Sequence, residues 1–506
     1  MRELLLGIDI GTSACKVAIF SRSGEVISSA SGDYQVYYPE SGHAEQNPDD
    51  WWQAVCQATK ESIEKGQINP ANIAGIGIAG QGWAAVALDP AGNVLTRTPI
   101  WMDTRSGAIC DRLNSEIGSD AIFQVSGNSL TAPYTTGKII WYQENLPEVF
   151  KQTDKILQSN SFIAYRLTGR ISQDICQSYA YHCFDTRKGF WDDDMRKAMG
   201  IPEHFLPAIS PCHAVIGTVT KAAAAQSGLI EGIPVVAGGL DAACGALGVG
   251  VLNNGEAQEQ GGQAGGMSIC MDSYKSDPRL ILGYHVVPDR WLLQGGSTGG
   301  GGVMRWLERE LADYEREVAG KSGKSSLDQF NEIAAKVAAG SDGLVFLPYM
   351  SGERTPIWDP NAKGVYYGLD FSKTKGHLVR AAMEGVAFSL KHNLAVAESA
   401  GASAEVLRAM GGSANSLLWT QIKADVTGKP IIVPDSDMAT TLGTAILAGV
   451  GVGLYDSFQH AVDTTVTIRR EHIPDKTVKD VYEYNYEVYL ELYQNLKSLM
   501  QRRYQS

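Results

Sequence analysis

Apolar runs of strand length alternate along the chain with segments of helical periodicity. The apolar run Leu4–Ile10 is followed by a Gly-Thr-Ser turn and by Lys16–Phe20, a pattern that predicts a β-hairpin. Further strands are predicted at Val26–Ser31 and Ile73–Ala79, and Asp49–Lys65 predicts a helix because an Asn-Pro-Asp capping signal opens it. Strands that alternate with helices indicate an α/β fold.

The middle of the chain repeats this pattern of strand, turn and helix. Ile233–Asp241 predicts a buried strand that stops at a Gly pair and presents one carboxylate, and the small residues of Ala242–Gly250 predict a helix. An Asn-Asn-Gly turn follows at 253–255, and Glu259–Gly266 then leads into an apolar strand at Met267–Met271. The second half thus echoes the opening hairpin, a weak sign of internal duplication.

Size and composition set the domain count and exclude several classes of protein. A chain of 506 residues with 44% apolar content exceeds the roughly 250–300 residues that one core organises, so we expect domains at 1–252 and 253–506. The net charge of −13 argues against nucleic acid or an anionic membrane as partner. The eight cysteines form no CxxC pair, and there is no HExxH motif, secretory leader or membrane-length apolar run. These features are typical of a cytoplasmic protein with reduced thiols.

Four turns rich in glycine and small polar residues follow apolar strands. Such turns let backbone N–H groups approach phosphate oxygens, and hydroxyl groups add further donors. Because the four are spread over both halves, they fit a nucleotide that lies between two domains. No GxxxxGK[ST] is present, and no GxGxxG opens a first βαβ unit, so P-loop and dinucleotide enzymes are disfavoured. The turns are Gly11–Ser13, Gly261–Gly266, Gly295–Gly302 and Gly411–Ser416.

Two carboxylates and one polar–aromatic segment are candidates for chemistry. Asp9 lies inside an apolar strand, where a carboxylate must meet a partner or a cation, and we interpret it as a magnesium-associated residue acting through waters. Asp241 ends the central strand, where it could accept a proton from an alcohol during phosphoryl transfer. Trp101, Asp103 and Arg105 would share one face of an extended segment and suit a sugar, with an ion pair as the alternative.

Five motifs make the chain resemble the FGGY family of carbohydrate kinases over nearly its whole length. They are GIDIGTSACKV (Gly7–Val17), PVVAGGLDAACGALGVG (Pro234–Gly250), FLPYMSGERTP (Phe346–Pro356), the spaced signature in Gly364–Gly385, and GGSANS (Gly411–Ser416). The resemblance implies two actin-like, ribonuclease-H-like ATPase domains with a cleft between them, and it implies ATP, Mg²⁺ and a small sugar as ligands.

The same resemblance assigns residues to roles. Asp241 is implied as the catalytic base, and Asp9 as the residue near the metal. The sugar would meet Gln81, Gly82, Trp83, Trp101, Asp103, Arg105 and Asp241. ATP would meet Gly11, Thr12, Ser13, Lys16, Gly262, Gln263, Gly265, Gly299, Gly411, Gly412 and Asn415, the last three on the adenosine side. No role follows for Glu353 or Arg354.

The chain departs from the xylulokinase pattern at three places. Gly82-Trp83 stands where xylulokinases typically carry Met-His, Ala242 stands where they tend to carry Asn, and the second phosphate loop reads Gly-Gln-Ala-Gly at 262–265. The first family signature fits approximately, with Lys138 and Trp141 in place. D-xylulose is the best single substrate hypothesis, and other ketopentoses and four- to six-carbon ketoses or polyols stay open. A nucleotide-gated sugar-binding protein, a kinase with a non-sugar acceptor and a homodimer stay open as well.

Overall fold

The computed structural model describes residues 3–323, 325–435 and 437–502, and the chain forms two compact units. Neither unit is continuous in sequence. Unit 1 comprises Met1–Leu252, Cys270–Leu292 and Met438–Thr467. Unit 2 comprises Asn253–Ile269, Leu293–Asp437 and Ile468–Ser506. The main change of unit at residue 252 lies next to the Asn-Asn-Gly turn, and two later segments return to unit 1.

Residues up to 252 supply most of the elements of unit 1. The strands are β1 (Leu4–Ile10), β2 (Ala14–Phe20), β3 (Val26–Asp33), β4 (Glu45–Gln46), β5 (Ile73–Gly80), β6 (Val86–Leu88), β7 (Thr98–Pro99), β8 (Lys155–Leu157), β9 (Gln173–Asp174), β10 (Phe184–Asp185), β11 (Phe190–Trp191), β12 (Ile209–Ser210), β13 (Val215–Thr218), β14 (Pro234–Val236) and β15 (Gly239–Leu240). The helices are α1 (Pro48–Lys65), α2 (Gly107–Leu113), α3 (Ser119–Ser126), α4 (Thr135–Asn145), α5 (Pro147–Gln152), α6 (Ser159–Thr168), α7 (Asp193–Ala198), α8 (Lys221–Ser227) and α9 (Asp241–Gly248).

The rest of the chain completes unit 1 and builds unit 2. The strands are β16 (Glu256–Gly261), β17 (Gly265–Met271), β18 (Ile281–Tyr284), β19 (Trp291–Ser297), β20 (Val345–Leu347), β21 (Val365–Tyr367), β22 (Val406–Met410), β23 (Ile431–Pro434) and β24 (Ile468–His472). The helices are α10 (Gly301–Leu311), α11 (Asp313–Ser322), α12 (Ser326–Ala334), α13 (Lys375–Ser399), α14 (Leu417–Thr427), α15 (Ala439–Gly451), α16 (Phe458–Thr465) and α17 (Lys479–Met500).

The two principal sheets share one pairing pattern. In unit 1 the order is β13-β14-β5-β1-β2-β3, in which β1 pairs antiparallel with β2 and parallel with β5, β5 is parallel to β14, and β14 is antiparallel to β13. In unit 2, β16 likewise pairs antiparallel with β17 and parallel with β22, β22 is parallel to β23, and β23 is antiparallel to β24. The echo seen in the sequence therefore extends to sheet topology. The predicted two-domain α/β fold is confirmed.

Close backbone contacts at glycines explain why the segment Met438–Thr467 belongs to unit 1. A Cβ on Gly7 or Gly77 would lie 2.2 Å from Thr441 O or 1.9 Å from Thr444 O, and a Cβ on Gly248 would lie 1.8 Å from Ala439 O. Helix α15 therefore packs backbone to backbone on β1, β5 and α9, at distances that no side chain would allow. Helix α9 carries Asp241, so this packing fixes the backbone of the central carboxylate.

The strand expected over Ile233–Asp241 is divided in two. Gly238 has φ +77° and its Cβ would lie 1.9 Å from Ile78 O of β5, so a left-handed residue in close contact with β5 interrupts the strand. It returns as β15, which pairs with the end of β5 at Ala79 and Gly80. Asp241 consequently lies at the first position of α9 instead of at the end of one long strand.

The expected amphipathic helix at the C-terminus is present as α17. Its buried face presents Tyr482, Tyr486, Tyr489 and Tyr493 to the core of unit 2. The Tyr349 hydroxyl bonds the Tyr489 hydroxyl at 2.7 Å. The aromatic periodicity of this helix therefore serves packing.

Candidate active site

Asp9 is a partly buried carboxylate near the end of β1. It pairs in register with Lys16 on β2 and with Ala79 on β5. Its Oδ1 atom is buried and has no hydrogen-bond partner among the described residues. Burial, and then the neighbouring charge of Asp241, raise the pKa of Asp9 to about 7. A carboxylate left in this state is suited to meeting a cation.

Asp241 opens helix α9 beside that carboxylate. Its Oδ1 accepts a 2.7 Å hydrogen bond from the Ala242 N–H. Burial raises the pKa of Asp241 to about 6, and the bond from Ala242 opposes the rise. The group is therefore ionised near neutrality and still basic enough to accept a proton, as a general base should be.

The hairpin turn after β1 is tied to three surrounding side chains. The Tyr34 hydroxyl donates to Gly11 O at 2.6 Å, and Gln46 Nε2 donates to Thr12 O at 2.7 Å. Trp101 Nε1 donates to Thr12 Oγ1 at 3.0 Å. The turn predicted to meet phosphate thus shares a hydrogen bond with a residue predicted to meet sugar.

Gln81 follows β5 and is held in place on the same side of the sheet. Its N–H bonds Ile10 O at 2.8 Å, its Nε2 donates to Gln46 Oε1 at 2.6 Å, and the Ser159 hydroxyl donates to its carbonyl at 2.8 Å. The buried Oε1 of Gln81 has no partner among the residues described. The side chain is therefore rigid and keeps one acceptor available.

Trp83 belongs to a cluster of aromatic side chains. Its ring stacks on Tyr134 with centroids 4.3 Å apart, and its Nε1 donates to the Tyr179 hydroxyl at 3.2 Å. Trp83 has φ +66°, a conformation rare for a bulky residue, and only 8% of its surface is exposed. His182 packs edge-on against Tyr134 at 4.8 Å. A Cβ on Gly82 would lie 2.9 Å from a Leu240 methyl group, so the missing side chain lets Leu240 pack beside this cluster.

Asp103 and Arg105 form a buried ion pair. The segment 101–105 turns instead of running extended, because the Asp103 N–H bonds Ile100 O at 3.0 Å. Arg105 Nε donates to both Asp103 oxygens at 2.9 Å, and its guanidinium also pairs with Glu45 at 2.8 Å. Asp103 Oδ2 accepts the Ala44 N–H at 2.7 Å. Their side chains are 0% and 3% exposed, so the pair braces the loop that carries Trp101.

Tyr134 and Lys138 also belong to this region, and the sequence patterns predict no role for either of them. Tyr134 supplies the second ring of the aromatic wall and lies directly before α4. Lys138, on α4, is fully buried and donates to the backbone carbonyls of three loops at 2.6–2.8 Å. The approximate family signature at 135–143 indicates that this helix matters, but no sequence pattern predicts that it contacts Trp83.

In unit 2 the glycine-rich loops pack on one another through their backbones. The Gly301 N–H bonds Gly262 O at 2.8 Å, and the Gly302 N–H bonds Gln263 O at 2.9 Å. A Cβ on Gly300 would lie 2.3 Å from the carbonyl carbon of Ala264. The loops that hold the predicted residues Gly265 and Gly299 can therefore approach only because side chains are absent.

A cavity of about 420 Å³ lies beside these loops. It brings together four residues predicted to meet ATP, namely Gly262, Gln263, Gly412 and Asn415. Apolar walls come from Met304, Leu327, Met383 and Trp419, and polar groups come from Arg305, Asp328 and Asn331. Gly411 adopts φ +88° and leads into a 3₁₀ turn at Gly412–Asn415. An apolar cavity with a few polar groups, next to a backbone-lined loop, suits a nucleotide base and sugar.

Glu353 holds one of the glycine-rich loops of unit 2 in place. Its Oε1 accepts the N–H groups of Thr298 at 2.6 Å and of Arg354 at 2.8 Å, so it anchors the Gly295–Gly302 loop. Its buried Oε2 has no partner in the described part of the chain, and burial raises the pKa of Glu353 to about 7. The Arg354 guanidinium lies against the same loop, 2.9 Å from where a Cβ on Gly296 would be.

A two-domain α/β fold, with a basic carboxylate in one unit and a cavity next to glycine loops in the other, fits an enzyme that transfers a phosphoryl group from a nucleotide to a small molecule. Family models match both parts: the FGGY carbohydrate kinase N-terminal domain over residues 4–248, and its C-terminal domain over residues 271–452. The chain belongs to the FGGY family of carbohydrate kinases. It is an enzyme that uses ATP and a sugar substrate, as the resemblance implied.

Relatives agree over the full length of the chain. A xylulose kinase of Staphylococcus epidermidis is 29% identical over 99% of this chain and 98% of its own. A gluconokinase of Bacillus licheniformis is also 29% identical, over 100% of this chain and 97% of its own. The crystal structure of a xylulose kinase from Rhodospirillum rubrum superposes with a TM-score of 0.89 at 31% identity, covering 99% of this chain and 100% of that one. Among the described residues no helix is long and apolar enough to cross a bilayer.

Proposed function

We propose that the protein transfers the γ-phosphate of ATP to a hydroxyl of a neutral ketose or polyol of four to six carbons, with D-xylulose as the first candidate. The observation that carries the proposal is the Asp241 carboxylate at the start of α9, with a pKa of about 6. The full-length relatives named xylulose kinase support D-xylulose as the candidate to try first.

In the proposed reaction, Asp241 accepts the proton of the attacking hydroxyl. The hydroxyl oxygen then forms a bond to the γ-phosphorus while the bond to the ADP oxygen breaks, and ADP leaves. Within the described part of the chain Asp241 accepts one hydrogen bond, through Oδ1, so we propose that its second oxygen receives the substrate hydroxyl.

Asp9 fits a magnesium site in which the protein contacts the ion through bound water. The unpartnered Oδ1 can accept a hydrogen bond from a metal-bound water, and Mg²⁺ usually keeps several waters beside substrate phosphates. The bound ion would neutralise phosphate charge. No group of three or more potential ligands from His, Cys, Asp and Glu occurs among the described residues, which agrees with a metal held chiefly by ATP and water.

We assign nucleotide binding to the cavity in unit 2 and to the loops beside it. Gly411, Gly412 and Asn415 would contact the adenosine, and Gly262, Gln263, Gly265 and Gly299 the phosphates. The turn at Gly11–Ser13, with Lys16 on the strand that follows it, would donate to the transferred phosphate.

The sugar-contacting residues are assigned by the groups that they present. Gln81 offers an unpartnered Oε1, Trp83 and Trp101 offer ring surface, and Gly82 offers its backbone. Asp103 and Arg105 are occupied by each other and by Glu45, so we propose that they act on the sugar through the Trp101 loop. With Arg105 and Lys138 both engaged, these loops favour a neutral sugar over the sugar acid of gluconokinases.

A ligand panel tests this proposal directly. ADP release is measured with ketoses, polyols and sugar acids at saturating Mg-ATP, together with the thermal shift that each sugar produces. We expect ADP release with at least one neutral four- to six-carbon sugar and none when Mg²⁺ is chelated. Sugar binding without ADP release would indicate a nucleotide-gated binding protein, and turnover of sugar acids alone would contradict the neutral-sugar assignment. We place the reaction in the cytoplasm, and sedimentation would measure whether a homodimer forms.

A further inference from the structure

A single buried lysine connects three loops of the proposed sugar site. Lys138 Nζ donates to Trp83 O at 2.6 Å, to Ile100 O at 2.8 Å and to Pro133 O at 2.6 Å. Lys138 is 0% exposed and lies in the first half of helix α4. The three acceptors come from segments separated by 17 and 33 positions in the sequence, and each of these segments is irregular at the acceptor.

The number of acceptors matches the chemistry of an ammonium group. A protonated lysine has three N–H donors and no acceptor, whereas the neutral amine has only two donors. Three carbonyls at 2.6–2.8 Å therefore use every donor of the charged form. Hydrogen bonds to a charged donor are stronger than those between neutral groups, which compensates for the burial of the charge.

The three carbonyls are placed next to the three aromatic residues of the site. One belongs to Trp83 itself, and Ile100 immediately precedes Trp101. Pro133 immediately precedes Tyr134, whose ring stacks on Trp83. Trp83 also holds a φ of +66°, a conformation that persists only when its surroundings impose it.

We propose that Lys138 is a positioning residue for sugar recognition, whose ammonium holds the backbones of Trp83, Trp101 and Tyr134 in one arrangement. The inference deepens the proposed function and rests on it for the identity of the ligand. Lys138 acts without touching the sugar. Its effect should appear in sugar binding and leave nucleotide binding unchanged.

The charged groups around Lys138 are consistent with this role. Burial lowers the pKa of Lys138 to about 7, and the nearby charge of Asp103 opposes the fall while Arg105 adds to it. The Cys110 thiol is the remaining titratable neighbour. Asp103 thus supports the same loop twice, through its own hydrogen bonds and through the negative charge that it presents to the lysine.

The test compares Lys138→Met with a matched control on the same helix. Methionine keeps an unbranched side chain and removes all three donors. The control is Tyr142→Phe, which removes a buried 2.9 Å bond from α4 to Ala85 O, a carbonyl outside the three aromatic positions. For Lys138→Met we expect kcat/KM for the best sugar to fall about 100-fold, mainly through KM, with KM for ATP changed less than about threefold. Tyr142→Phe should leave the sugar KM within about threefold, since a single neutral hydrogen bond contributes little.

Indole NMR supplies a readout that needs no substrate. In protein labelled with ¹⁵N-tryptophan, the Nε1–H signals of Trp83 and Trp101 are assigned by Trp83→Phe and Trp101→Phe. Both signals should shift in Lys138→Met and stay in place in Tyr142→Phe. The signal of Trp419, which bonds Met383 O in unit 2, serves as the internal reference and should not move.

Each outcome decides the proposal. Unchanged indole signals together with an unchanged sugar KM in folded Lys138→Met would overturn it. If that variant does not fold, Lys138→Gln, which keeps two donors, should show smaller shifts in the same direction. Unfolding of both variants where Tyr142→Phe folds would also overturn it, because the lysine would then serve global stability. If the wild type phosphorylates no sugar, the proposed function fails while the indole spectra still test the positioning role.

Discussion

The proposed sugar site in unit 1 and the proposed nucleotide site in unit 2 are built from different parts of the chain. In unit 1 the proposed contacts are side chains, and hydrogen bonds with other side chains fix them: Gln46 and Tyr179 accept such bonds and Arg105 donates them. In unit 2 the proposed phosphate loops are backbone, and they are fixed by the absence of side chains at positions such as Gly300 and Gly301.

This difference has consequences for substitution. In a site built from side chains, one substitution can remove one contact, because removing a carboxylate or a ring leaves the backbone in place. A backbone site is disturbed by any Cβ, because the added atom forces the loops apart. Substitutions in unit 1 and in unit 2 should therefore have different effects on activity and binding.

The largest effect is expected at Asp241, which we propose as the group that accepts the proton of the substrate hydroxyl. Asp241→Asn keeps the shape of the residue and removes the base, so kcat should fall by roughly 10²–10⁴-fold with ATP affinity nearly unchanged. Burial raises the pKa of Asp241, which means that the charge costs stability in the fold. The melting temperature of the variant should therefore be equal or higher. A kcat above about a tenth of the wild-type value would remove Asp241 from the role of base.

The second effect concerns specificity at Trp83. A stacked ring discriminates by shape, and apolar contacts separate substrates by only ~10–200-fold, so several ketoses should lie within about 100-fold in kcat/KM. Trp83→His introduces a hydrogen-bonding ring and should change the ranking of sugars in the same panel. A wild-type preference above about 10⁴-fold for one sugar would contradict the stacking account. An unchanged ranking in the variant would show that Trp83 is structural.

The backbone site should respond to a single methyl group. In Gly300→Ala the new Cβ would lie 2.3 Å from the carbonyl carbon of Ala264, so the two loops must separate. We expect ATP affinity to fall at least about tenfold by calorimetry, with sugar binding retained, since a displacement near 1 Å has effects of this order or larger. Gly107→Ala is the control, because a Cβ there meets nothing within 4 Å. Equal ATP affinity in both variants would argue against the loops as a phosphate site.

The smallest effect is a pH dependence set by the carboxylates of unit 1. Asp241 must be ionised to accept a proton, and burial raises its pKa to about 6. The value of kcat/KM should therefore be steady well above pH 6 and fall about tenfold per pH unit well below it. Since Asp241 and Asp9 both have raised pKa values, these two groups should contribute stability that grows as pH falls from 7 towards 4. The buried His182, whose pKa is lowered to about 4, should oppose that gain. A rate that falls only below pH 4 would mean that an unperturbed carboxylate is the base.

Local pattern was sufficient for the regular elements and for the positions of the turns. The hairpin of β1 and β2, helix α1 with its Asn47 cap, and the aromatic face of α17 all appear where their periodicity and capping residues indicate. These features depend on interactions within a few residues, so local sequence patterns are enough to predict them. The break between β14 and β15 was missed because it depends on the approach of Gly238 to Ile78 O, a contact with another strand.

The sequence predicts which residues belong to the candidate site, but it does not predict which of them contact one another. Asp9 and Asp241 stand out in the sequence because a carboxylate in an apolar segment is costly unless it has a purpose. The alternative of an ion pair was foreseen for Asp103 and Arg105, but their complete burial was not, because Ala44 and Glu45 come from elsewhere in the chain. Lys138 could be noticed on α4, yet its three acceptors lie in three other segments.

The amino-acid sequence by itself determined the class of the protein: the strands, the glycine turns and the two carboxylates are properties of local composition and order. The tertiary structure alone decided which side chains remain available to a ligand. Ala44 and Glu45, both distant in sequence, occupy Asp103 and Arg105, whereas Gln81 Oε1 and Asp9 Oδ1 have no partner in the described structure. Whether a polar atom is satisfied depends on neighbours brought by folding, and no local pattern records those neighbours.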